Sequence, residues 1–140
     1  MSKPSANSTL YKLIEAGQLA HVALVAPLRE RGLEPGDDAI LFALAKAGTT
    51  EAELAAELGA QPGQLDPRLA RLIERGLLRR QAVGPQLVPG LMLSERGLRI
   101  RKALAEHWQE LEEALLGELK KKHRARFDAT LARILDLLRF

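Results

Sequence analysis

Five arginines fall within a short stretch of the chain: Arg68, Arg71, Arg75, Arg79 and Arg80. Guanidinium groups at this density suit phosphate recognition, because each carries a permanent positive charge and a planar fork of N–H donors. From residue 60 to 80 these five bases face two acids, Asp66 and Glu74, a net charge of +3. The preceding stretch, 34–59, holds six acids against Lys46, a net of −5. An Arg-rich segment inside a small fold is a candidate phosphate-contacting surface. A solvated helix face explains the same run. Arg71 could equally tie its helix to an acid elsewhere in the fold. Arg75 sits where a helix C-terminus favours a cation in any case.

Enzyme chemistry has little to stand on. The cysteine count is zero, which excludes a disulfide scaffold, a Cys-ligated zinc site and a thiol redox sensor. The three histidines (His21, His107, His123) lack the i, i+3 or i+4 spacing of a helical metal pair. Ser94 and the N-terminal serines have no His placed to activate them, and no glycine-rich phosphate loop is present. The paired acids Asp37-Asp38 and Glu112-Glu113 are expected on helix surfaces. No catalytic residue, metal or cofactor is expected.

The elements that would position the arginines follow from composition and periodicity. The 140 residues are 46% hydrophobic, 28% charged and 4% aromatic, which fits one globular domain, 1–140, with an aliphatic core. No run of about 18 apolar residues provides a membrane span. The opening MSKPSANS lacks the apolar region of a secretory signal, so residues 1–7 are read as a mobile tail and the expected location is the cytoplasm. Leu10, Leu13, Ile14, Gly17, His21, Leu24 and Leu28 recur at helical spacing, with Ser8 or Thr9 as cap, Pro27 kinking or shortening the helix and Gly32 as stop. A second helix opens at Pro35-Asp37, buries Ile40, Leu41, Leu44 and Ala45, and ends at Gly48. A third begins at Thr49 or Thr50, with Glu53 at capping-box spacing, and closes at Gly59. A fourth carries Leu65, Leu69, Leu72 and Ile73 and stops at Gly76. QAVGPQLVPGLML then holds two Pro and two Gly, predicting two short strands around Gly84-Pro85, with Pro89 on an edge strand. Ser94 caps a long helix with the stripe Leu98, Leu104, Trp108, Leu111, Leu115 and Leu119. The basic run Lys120 to Arg126 marks a turn, and Phe127, Leu131, Ile134 and Leu138 a last helix.

Three short helices followed by a hairpin are the layout of a winged helix-turn-helix. The fold class is therefore mainly α: a winged head at 36–93, with helices at 8–32 and 94–140 left over. Their apolar stripes are buried most cheaply against a second copy, forming a dimerisation region. A monomer with those helices folded back onto the head is the alternative.

At this level the chain resembles the MarR family of bacterial transcription regulators. GLEPGDDAILFALA resembles the opening of that family's second helix. LAAELGA is similar to its LAxxLG turn, LARLIERGLLRR to its LVDRLExxGLVxR, and LMLSERG to the LTxxG that starts its long dimer helix. The resemblance spans residues 10–138 with nearly matching gaps. It implies a homodimeric repressor or activator that binds double-stranded DNA, with the fourth helix, 67–76, in a major groove and the wing at the adjacent minor groove. It also implies a small aromatic effector in a cleft between head and dimer helices, where His21, His107 and Trp108 are candidates. Packing of Trp108 in a dimer core is the competing use. The implied DNA-contact set is Gln61, Gln64, Arg68, Arg71, Arg75, Arg79 and Arg80.

Two stretches depart from the family's pattern. Pro67 fits only a first helical turn, so the fourth helix starts late, with Asp66 as cap, and loses the turn where base-reading side chains sit. The family's wing arginine is also missing, because Pro85, Gln86 and Leu87 occupy those positions and no cation lies between Arg80 and Arg96. A winged-helix dimer without sequence-specific DNA binding, acting on a protein or a small molecule, is therefore the rival expectation.

Overall fold

The structure, a computed structural model, describes residues 8–61 and 63–139. The expected tail at 1–7 lies outside the described residues. The chain divides into two compact units between Ala105 and Glu106.

The first unit opens with α1 (Thr9–Glu30), capped by Ser8, whose hydroxyl accepts from the Tyr11 amide. Pro27 does not end the helix early; α1 continues to Glu30. Near the C-terminus a proline removes a single ladder bond, the one to the Ala23 carbonyl. The end is closed by Leu33 N–H on the Leu28 carbonyl (2.9 Å) and Gly32 N–H on that of Arg29 (3.0 Å). This is the Schellman arrangement, and its left-handed position is Gly32, at φ +70°. The same pair of bonds ends the fourth helix, with Leu77 on Leu72 and Gly76 on Ile73.

α2 (Asp37–Ala43) is shorter than expected. It stops before Gly48 because other groups take over the backbone there. The Thr49 hydroxyl accepts from the Ala45 amide (2.9 Å), and Arg101 donates to the carbonyls of Leu41 (3.2 Å) and Leu44 (2.6 Å). Ala45, expected inside, is exposed as a result. α3 (Glu51–Leu58) has Thr50 as its cap, accepting from the Glu53 amide, and closes at Gly59. α4 (Asp66–Glu74) starts one residue before Pro67 and spans 9 residues.

The hairpin consists of β2 (Leu78–Val83) and β3 (Val88–Leu93). A third strand, β1 (Thr49–Thr50), pairs with Leu91 and Gly90, giving the order β1-β3-β2. Pro89 therefore lies on the central strand and not on an edge. It is tolerated because β1 ends opposite Gly90, so no neighbour on that side needs an amide from residue 89. Gly90 makes this approach possible: a Cβ there would lie 2.8 Å from the Thr49 carbonyl oxygen and 2.5 Å from Val83. Leu28, Ile40, Leu41, Leu54, Leu72, Leu77, Leu91 and Leu104 are fully buried, an aliphatic core as the composition indicates.

α5 (Glu95–Leu116) starts at Ser94, whose hydroxyl accepts from the Gly97 amide (3.0 Å). The second unit holds its C-terminal part and α6 (Lys121–Leu138). The basic run is not a turn: from Lys121 onward it forms the first turns of α6, and only Lys120 remains outside as cap. Arg124 pairs with Glu112 (3.0 Å), an acid of α5. No residue of α6 is buried.

Candidate nucleic-acid interface

α4 is positioned from within by Leu69 and Leu72, both buried in the head. Helical spacing then places Pro67, Ala70 and Glu74 on the opposite face, and these residues are exposed, as is Asp66. The arginines occupy a flank. Arg68, Arg71 and Arg75 stand at i, i+3 and i+7 and share one stripe.

That stripe docks onto the segment joining α1 to α2. Arg68 donates to the Pro35 carbonyl (3.0 Å) and to Asp37 Oδ1 (2.8 Å). Arg71 donates to both oxygens of Asp37 (2.7 and 2.9 Å) and to Glu34 (2.9 Å). Arg75 donates to the Gly32 carbonyl. Asp37 itself is completely buried, and its second oxygen also accepts from the Glu34 amide (2.8 Å). The expectation of a surface acid is therefore wrong for Asp37. A carboxylate tolerates such burial only when its lone pairs are filled and its charge is met, and here two guanidiniums and one amide do both.

On the wing, Arg79 and Arg80 are both exposed and point to alternate faces of β2. Arg80 pairs with Glu51 at the start of α3. Gln61 and Gln64 are exposed in the turn before α4, where they tie each other: the Gln61 amide donates to Gln64 Oε1 (2.9 Å), and the Gln64 amide to the Gln61 carbonyl (3.0 Å). The structure thus brings Gln61, Gln64, Arg68, Arg71 and Arg75 to one end or flank of α4. It also gives Arg68, Arg71, Arg75 and Arg80 partners inside the protein. At the wing tip Leu87 is 71% exposed with φ +53°, a conformation that side chains rarely adopt.

A groove of about 510 Å³ lies between α3 and α4, lined by Ala55, Ala56, Leu65 and Leu69 together with Glu51 and Asp66. A smaller one of about 290 Å³ is lined by His21, Val22, Val25, Ala26, Arg29 and Pro35. His107 and Trp108 belong to the second unit and are half-buried on α5. Among the described residues no cluster of His, Cys, Asp or Glu could hold a metal ion, and no helix is long and apolar enough to cross a membrane.

Asp37 and Arg101 were missed by sequence reading. Asp37 stands in an acidic stretch, where nothing local separates a buried acid from its exposed neighbour Asp38. Arg101 sits on a long charged helix and carries no sequence signal of its carbonyl partners 57 and 60 residues away.

No protein-family model matches the sequence, and no curated protein sequence matches it. Solved structures do. The Staphylococcus aureus MepR–DNA complex superposes with a TM-score of 0.76 at 16% identity, covering 97% of this chain and 100% of that one. CouR from Rhodococcus jostii, bound to p-coumaroyl-CoA, gives 0.73 at 20% identity over 95% of each chain. PcaV from Streptomyces coelicolor, a transcriptional regulator in complex with its natural ligand, gives 0.70 at 24% identity over 97% and 98%. The fold is a MarR-type winged helix, with a helix-turn-helix head, a β-wing and long terminal helices.

Proposed function

We propose that this chain is a DNA-binding transcription regulator that works as a homodimer and responds to a small-molecule effector. The observation that carries this reading is the end-to-end likeness to a fold solved in complex with DNA, through helix-turn-helix, wing and terminal helices alike. In this reading α4 enters the major groove of an operator, Gln61 and Gln64 lead it, and one of Arg79 and Arg80, which point to alternate faces of β2, approaches the backbone from the wing.

Dimerisation is supported by exposed apolar side chains on α1, α5 and α6. Leu10, Leu19 and Val22 of α1 are each more than 60% exposed, and Leu115, Leu137 and Leu138 of the C-terminal helices are close to that value or above it. Apolar stripes of this length are covered most simply by a second copy. In this reading the effector binds the groove beside His21. Regulators of the same fold are solved with p-coumaroyl-CoA and with a natural ligand, which favours an organic, partly aromatic effector here. The cytoplasm is the corresponding location.

Selection from a random duplex library tests the proposal. Enrichment of two related half-sites, about one helical turn apart, is the expected outcome for a symmetric dimer. A specific observation favours the second reading, a winged-helix dimer acting on a protein or small molecule: the outward positions of α4 are Asp66, Pro67, Ala70 and Glu74, with no cation among them. A library that emerges without any enriched motif would turn the assignment to that reading.

A further inference from the structure

The arginine stripe of α4 and the segment 32–37 form one clamp. Arg68 and Arg71 carry two positive charges, and Asp37 and Glu34 carry two negative ones within hydrogen-bond distance. These four charges cancel, and the third arginine of the stripe, Arg75, donates to the Gly32 carbonyl, so all three guanidiniums point at the protein. A phosphate competing for Arg71 meets the exposed Glu34 at one nitrogen and, at the other, Asp37, a carboxylate that has no access to water.

We infer that Asp37 is a positioning residue for the recognition helix: it withholds Arg68 and Arg71 from phosphate and seats α4 against the α1–α2 segment. The inference rests on the proposed DNA-binding function, and it has a consequence that a merely structural acid would not have. Removing the charge of Asp37 loosens two guanidiniums and leaves the stripe one positive charge richer, so binding to any duplex strengthens while the preference for one sequence falls.

The test uses the full chain and measures binding to a selected and a scrambled duplex between 50 and 200 mM salt. Each phosphate contact contributes about 0.9 to the logarithmic salt slope. Arg71→Gln is expected to leave the slope unchanged while lowering the preference for the selected duplex roughly tenfold. Arg71→Lys should fail to restore that preference, because an ammonium keeps the charge but loses the fork. Asp37→Asn, if it folds, should bind the scrambled duplex several-fold more tightly, with a steeper slope. The proposal is overturned if Arg71→Gln lowers the slope by about 0.9 and Arg71→Lys restores both slope and preference, since Arg71 would then be a phosphate ligand. It is also overturned if Asp37→Asn weakens both duplexes equally.

Should the wild-type chain bind no duplex, the DNA-binding function fails, and hydrogen exchange of the free protein decides the clamp. Arg71→Gln then speeds exchange of the α4 amides while leaving those of α3 unchanged. Equal protection of α4 in both proteins would overturn it.

Discussion

Arg71 closes a fork on Asp37, donating from one nitrogen to both carboxylate oxygens at 2.7 and 2.9 Å. The two residues are 34 positions apart in sequence. The contact joins the helix at the centre of the helix-turn-helix to the start of α2, and with Arg68 it meets the charge of a buried carboxylate.

Asp37→Asn removes the charge from a fully buried site and takes from Arg68 and Arg71 the carboxylate they share. Breaking a buried pair from one side costs about 3 kcal/mol or more. Asp38→Asn should cost about 1 kcal/mol or less, because Asp38 accepts from the Gly36 amide and an Asn carbonyl can do the same. Urea denaturation of the two variants measures the difference.

Arg101→Met keeps the stem of the side chain and removes its donors. The carbonyls of Leu41 and Leu44 then lose the guanidinium that terminates α2. The expected loss is about 1–3 kcal/mol, read by thermal or chemical unfolding. An unchanged midpoint would show that the α2 terminus needs no such partner.

What was legible in the sequence was local. Ser8, Thr50 and Ser94 were readable as caps because the amide each one accepts lies three residues ahead. Gly32, Gly59 and Gly76 were readable as stops, and Pro67 falls in the first turn of α4 as expected, although Leu65 and not Asp66 holds the cap position. What escaped was non-local. β1 is two residues long and exists only because Gly90 lets it approach, so no periodicity could reveal it. The central place of β3 follows from the same pairing. The arginines were found as a group, but their direction depends on Asp37 and Gly32, which lie 31 to 43 residues away. Charge counting cannot tell a cation aimed at phosphate from one aimed at a buried carboxylate.

Gly90→Ala places a methyl group against the Thr49 carbonyl and Val83. Overpacking of this kind costs about 1–3 kcal/mol and should loosen β1 first. Gly17→Ala is the opposite case: nothing lies within 4 Å of its added carbon, and the site is inside α1. That change should stabilise by about 0.5–1 kcal/mol. Denaturation midpoints moving in opposite directions would bear out both.

Val22 and Leu19 are 65% and 61% exposed on α1. If a second copy covers them, Leu19→Asp combined with Val22→Asp should sediment as a monomer at concentrations where the parent is a dimer. Identical sedimentation of the two proteins would remove α1 from the interface.

The most direct test of the DNA-binding function is fluorescence anisotropy of the purified protein over a salt series, with the duplex from its own upstream intergenic region and a scrambled duplex of the same composition. Tight binding that prefers the native duplex and weakens as salt rises is the predicted result. Weak binding, equal for both duplexes, would contradict the DNA-binding function and leave a winged-helix dimer whose partner is not DNA.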